Sequence, residues 1–173
     1  DANNALVGNG VSMVTLYYLR RFLSFFQGVL EKSNADEYAI SEELVEFFEK
    51  VSKTLIDNRS LLMNGFSDQD RKTVLDGLGK PASKYRLKIY DKGFRGYSKN
   101  ISKQNLQEFI TVSLEYLEHS IKANKRSDKL FHAYNLMTVS NDKVSIDYLP
   151  EMLEGQVAAL SSGSLSTLES VEL

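Results

Sequence analysis

Apolar residues recur every three or four positions along most of this chain, the period of helices that bury one face. From Ser12 to Lys32 the stripe is Leu16, Leu19, Leu23, Phe26 and Leu30, widened by Tyr17, Tyr18, Phe22 and Phe25. A face that wide predicts burial between neighbours. Ser41 opens a second helix, with Glu42 and Glu43 favourable in its first turn and Leu44, Phe47, Phe48, Val51 and Leu55 on its core face. Ser67, three residues before Asp70, starts a third helix that the glycines at 77 and 79 end. Pro81 opens a fourth, stopped by Gly93.

Residues 94–101 read as a loop. Ser102 opens a long helix to about Ala123, with Leu106, Phe109, Ile110, Leu114, Leu117 and Ile121 in register. Residues 130–139 (LFHAYNLMTV) fit helix or strand, and the turn signal Ser140-Asn141-Asp142-Lys143 leaves room for a small hairpin near 134–148. Pro150 opens a further helix to about Leu160. The expected fold is all-α, about six helices in an irregular array, with at most that one hairpin. Residues 1–10 read as a flexible lead-in and 11–165 as one helical domain. At 166–173, Ser166 and Glu169 form a capping box before Val171 and Leu173, the start of a further, truncated helix. The sequence therefore reads as a fragment of a larger protein.

Charge and composition narrow the classes. In 173 residues the net charge is −2 and no cysteine occurs, which excludes disulfides, thiolate metal sites and a cysteine nucleophile. A reducing, cytoplasmic setting fits that composition. The apolar stretch 11–30 carries Arg20 and Arg21 at its centre, and each would cost roughly 2.5–3.5 kcal/mol in mid-bilayer, so no membrane span is expected. No cofactor and no metal is expected either.

Some groupings could carry chemistry. Glu115 and His119 share a helical face, but HExxH lacks its second histidine here, and a polar helix edge accounts for them. His132, Tyr134 and Asn135 interrupt an apolar string; they either present hydrogen-bonding groups to a ligand or tie a loop down. If the string is extended, His132 and Tyr134 point one way; if it is helical, Phe131 and Asn135 share a face. Glu151 and Glu154 sit three apart, and paired carboxylates are what glycoside hydrolysis needs, although solvated helix faces carry such pairs routinely.

From Lys80 to Lys103 there are eight Lys/Arg against one acid, with Tyr85, Tyr90, Phe94 and Tyr97 interleaved. Cations with stacking rings suit nucleic acid. However, residues 31–57 hold eight acids against three lysines, and two such segments in one small chain are expected to neutralise each other. Nucleic acid is not an expected partner.

The strings LEYLEHSIKANKRSDKLFHAYNLM (114–137), YLPEMLEGQVAALSSGSLS (148–166) and GFSDQDRKTVLDGLGKPASKYRLKIYDKGFRG (65–96) resemble a helical region of large bacterial proteins labelled cellobiose-phosphorylase-like or glycoside-hydrolase-like. The resemblance spans mainly residues 60–165. It implies a segment or accessory domain of a carbohydrate-active protein, related to enzymes built on helical barrels. Its partners would be the rest of the parent polypeptide and carbohydrate. His132, Tyr134, Asn135, Glu151 and Glu154 would then face sugar, with no catalysis by this segment alone. Two alternatives stay open: a non-catalytic helical docking module, and nucleic-acid binding through residues 80–103.

Overall fold

The computed structural model describes residues 10–173; nearly all of the expected lead-in, residues 1–9, lies outside them. In chain order the elements are β1 (Gly10–Ser12), α1 (Met13–Lys32), β2 (Glu37–Ser41), α2 (Glu42–Asp57), α3 (Leu61–Asn64), α4 (Asp68–Lys92), β3 (Ser98–Ser102), α5 (Lys103–Ala123), β4 (Tyr134–Val139), β5 (Val144–Tyr148), α6 (Leu153–Ser162) and α7 (Thr167–Glu172). The all-α expectation is corrected: the fold is α/β, 62% helical, with five strands in two antiparallel sheets among the described residues. Three strands run order β1-β4-β5, and β2 pairs β3.

A single device explains three of the strands that the helical period concealed. β1, β2 and β3 each end on a serine that also caps the following helix. The hydroxyl of Ser12 accepts from the Thr15 N–H at 3.1 Å, that of Ser41 from Leu44 at 3.3 Å, and that of Ser102 from Asn105 at 3.1 Å. An N-cap residue is itself non-helical, commonly extended, so a strand can run straight into the cap.

The third and fourth expected helices are one. α4 continues through Pro81 for 25 residues. Proline cannot donate to the carbonyl four residues back, which here belongs to Gly77. The Thr54 hydroxyl reaches that carbonyl at 3.1 Å and shares its one proton between it and the Lys50 carbonyl, at 2.9 Å. A side chain of α2 thus makes up part of the bond that proline removed.

The described chain divides into two compact units: one combining the residues up to Gly28 with Leu114–Leu173, the other being Val29–Ser113. In the second, α2 packs on α4 beside the β2–β3 ribbon, with Phe47 stacked on Tyr85 at 5.2 Å and Phe48 edge-on to Phe109 at 5.0 Å. In the first, Met13, Tyr17, Ile121, Phe131, Ala158 and Ala159 form the core. Tyr17 is fully buried and meets the Phe131 ring edge-on at 6.2 Å. The stripe expected on α1 is only partly buried: Leu19, Tyr18, Phe22 and Phe25 lie exposed.

Candidate functional site

The first unit brings the polar string at 132–135 to the end of α5, and it does so through Asn124. This residue is buried where α5 stops, its N–H still bonded to Ser120 and Ile121 carbonyls. Its side-chain amide donates to the Tyr17 hydroxyl at 3.1 Å and to the His132 carbonyl. Its side-chain oxygen accepts from the Asn135 amide at 3.0 Å. The His132 N–H returns a bond to the Asn124 carbonyl at 3.3 Å. Burial pushes the Tyr17 phenol above its ordinary value, and the Asn124 bond offsets part of that rise. Asn135 is therefore an interior tie between β4 and α5.

His132 lies at the surface end of this network. Its ring stacks on Tyr148 of β5, centroids 4.0 Å apart and planes 13° from parallel. Burial, then the charge of Arg126, hold the imidazole below its ordinary pKa, so it is neutral at pH 7. The two rings border an open concavity of about 390 Å³, lined also by Ala123, Lys125, Arg126 and Ser127.

The charges around this hollow cancel. Arg126 grips Asp128 with two nitrogens, the shortest contact 2.7 Å, and pairs with Glu151. Asp128, then Glu151, raise the Arg126 pKa further. Lys125 pairs with Glu169 at 2.9 Å, and Lys129, in the left-handed region at φ 72°, pairs with Glu172 at 3.1 Å.

The five residues singled out from sequence thus separate. His132 lines the concavity and Glu151 reaches its rim through Arg126. Tyr134 is buried and hydrogen-bonds Glu154; burial and then that carboxylate raise its phenol pKa. Glycoside hydrolysis needs a carboxylic acid with a raised pKa. Glu151 is shifted the opposite way, by its own backbone N–H and then by Arg126.

Sequence reasoning missed Tyr148, Arg126 and Asn124. The first two could have been found from the hairpin register, which sets Tyr148 opposite Asn135, and from the Arg-x-Asp spacing at 126–128. Among the described residues, no group of three or more histidine or acidic side chains could hold a metal ion. None of their helices is long and apolar enough to cross a membrane.

In the second unit the basic segment meets the acidic one. Lys88 pairs with Glu46 at 3.0 Å, Lys99 with Glu49 at 2.7 Å, and Arg95 with Glu42 and Glu43 at 2.9 and 3.0 Å. Glu43 is buried; its own backbone N–H and then Arg95 hold its carboxyl below the usual range. These cations are already committed within the fold.

No protein-family model and no curated protein sequence matches the chain.

Proposed function

We propose that the chain is a non-catalytic, sugar-contacting segment of a larger bacterial carbohydrate-active protein, working in the cytoplasm. The observation that carries this reading is the His132–Tyr148 stack at the edge of the concavity. The half-exposed Tyr148 ring, backed by a neutral imidazole, is a rigid platform for the C–H face of a pyranose. Ser127, Lys125 and Arg126 supply hydrogen-bond donors around it. Because the surrounding charges cancel, the hollow suits a neutral polyol better than a phosphate. The resemblance of residues 60–165 to cellobiose-phosphorylase-like proteins points the same way.

The test is NMR titration of the full chain with cellobiose and maltose. Expected are millimolar binding, shifts at Tyr148 and His132, and loss of both in Tyr148→Ala with the fold retained. Unchanged Tyr148 and His132 signals at saturating disaccharide would refute the reading.

A second reading, a docking module for the rest of a parent polypeptide, is favoured by exposed apolar residues on α6 and α7: Leu153, Val157, Leu160, Leu168 and Val171. Under that reading, changing these to serine raises solubility and leaves sugar titrations untouched.

A further inference from the structure

We propose that the outer face of α4, with the loop that follows it, binds single-stranded nucleic acid. The eight cations from Lys80 to Lys103 divide into two sets. Lys80, Lys88, Arg95 and Lys99 pair with carboxylates, and Lys103 donates to the carbonyls of Glu31 and Ser33. Lys84, Arg86 and Lys92 pair with no carboxylate among the described residues. Asp91 is the one acid in the segment, so three unpaired cations stand against it.

Helix geometry sets part of this unpaired set beside exposed rings. Pro81, Tyr85 and Lys88 turn toward α2 and line a narrow cleft with Glu43 and Phe47. The opposite face of α4 carries Arg86 and Leu87, four and three residues before Tyr90, so the three are neighbours there. Leu87 is 63% and Tyr90 80% exposed. Lys92 ends the helix where the loop begins.

The loop holds two more rings outward because its backbone is fastened behind them. Gly93 and Gly96 take φ of 67° and 82°, a region that L side chains rarely adopt. Between them Arg95 is drawn inward: its guanidinium pairs with Glu42 and Glu43, and its N–H donates to the Glu43 carboxylate at 3.2 Å. The Tyr97 carbonyl accepts from the Glu42 N–H at 3.0 Å. Phe94 and Tyr97 are left 58 and 65% exposed. Among the described residues, no ring contact or side-chain hydrogen bond engages Tyr90, Phe94 or Tyr97. Three free ring faces thus stand on ordered backbone beside unpaired cations.

That combination selects the partner. Every base has a π-face, so stacking tolerates any sequence, while the cations follow the phosphates. A duplex hides its base faces, and a neutral sugar would leave Arg86 and Lys92 unused. A bilayer needs a broad apolar face to hold it. Here one aliphatic side chain, Leu87, accompanies the rings, and two of the three rings carry a phenol hydroxyl. The surface lies wholly within Val29–Ser113 and shares no residue with the concavity beside His132, so it stands apart from the sugar reading.

The test is fluorescence anisotropy of the full chain with a labelled oligothymidylate about twelve nucleotides long. Expected is a dissociation constant of about 1–100 µM, with a log–log salt slope of about −2 from three phosphate contacts. Tyr90→Ala and Phe94→Ala should each weaken binding at least about fivefold, the loss of one stacked base, while Tyr90→Phe retains it. An abasic strand of the same length should bind at least about fivefold more weakly, since it keeps the phosphates and lacks the stacking faces. Both altered side chains are exposed, so circular dichroism should show the fold unchanged. No binding up to about 500 µM at low salt would overturn the proposal. So would equal affinity for the abasic strand, or a strand affinity insensitive to both alanine changes. Co-sedimentation with phosphatidylcholine–phosphatidylglycerol vesicles in the absence of strand binding would overturn it in favour of a lipid surface.

Discussion

Replacing Gly155 with alanine sets two opposing effects against each other, and the structure decides between them. In an open helix, glycine to alanine stabilises by up to about 1 kcal/mol. Gly155 is buried in the first turn of α6, where little of that gain is available. An added Cβ there would sit 3.0 Å from the Ala133 Cβ, 3.0 Å from the Phe131 carbonyl oxygen and 3.1 Å from the Ala133 Cα. None of these is a flexible side-chain end. The Phe131 backbone is further held by Gln156, which accepts its N–H at 2.9 Å and donates to its carbonyl at 2.8 Å. To admit the methyl, α6 must back away from residues 131–133 and lengthen both bonds. Overpacking of this kind costs about 1–3 kcal/mol. The expected net effect is a loss of about 1–2 kcal/mol, a urea midpoint lower by roughly 0.5–1 M for a slope near 2 kcal/mol/M. Urea titration followed by circular dichroism measures it. An unchanged or higher midpoint would refute the reasoning, because it would show that α6 does not press on that backbone.

Thr54→Val strands the Gly77 carbonyl that Pro81 cannot serve; a loss of about 1 kcal/mol is expected by urea unfolding, and a neutral result would mean that water serves it equally well. Asn124→Ala removes the donor to Tyr17 and His132 and the acceptor for Asn135, so a loss of roughly 2–4 kcal/mol is expected, and a change below about 0.5 kcal/mol would place the network outside the core. Glu169 is held at about 2 by Lys125 and by the Ser166 cap, against an ordinary 4.5. A carboxyl depressed in the folded state stabilises above its unfolded pKa, and that contribution disappears as pH falls from about 4.5 toward 2. Urea midpoints measured from pH 6 to 2 should therefore fall less steeply in Glu169→Gln than in the parent; identical slopes would show that Glu169 is not held down.

Much of the helical content was legible because caps and periodicity act within one turn. Ser41, Ser67 and Ser166 mark helix starts, and the last two form complete capping boxes. The strands β2 and β3 were not legible. Ser98–Ser102 reads Ser-Lys-Asn-Ile-Ser, with one apolar residue and no alternation. It becomes a strand because Ile101 is buried opposite Tyr38, a partner 63 residues away. Pro81 misled for a related reason, since its compensation comes from Thr54 on another helix. At the site, His132 was recognisable as an odd residue in an apolar run. What Asn135 does was not, because its partner Asn124 reads from sequence as a turn residue. The pairing of Lys88, Arg95 and Lys99 with acids of residues 31–57 was anticipated from charge counts alone, since opposite charge needs no register to be recognised.

The first compact unit takes its residues from two distant stretches of the chain, and this has a consequence for synthesis. β1 can pair with β4 only after more than a hundred further residues have been made. At 5–20 residues per second, that is a wait of roughly 6–25 s. Val29–Ser113 is continuous and emerges whole during the interval. Meanwhile Met13 and Tyr17 are out of the ribosome before their core partners Phe131 and Ala158 exist. An aromatic helix kept waiting for its core is a natural substrate for a holding chaperone. Joining residues 10–28 directly ahead of 114–173 by a short linker would remove the wait.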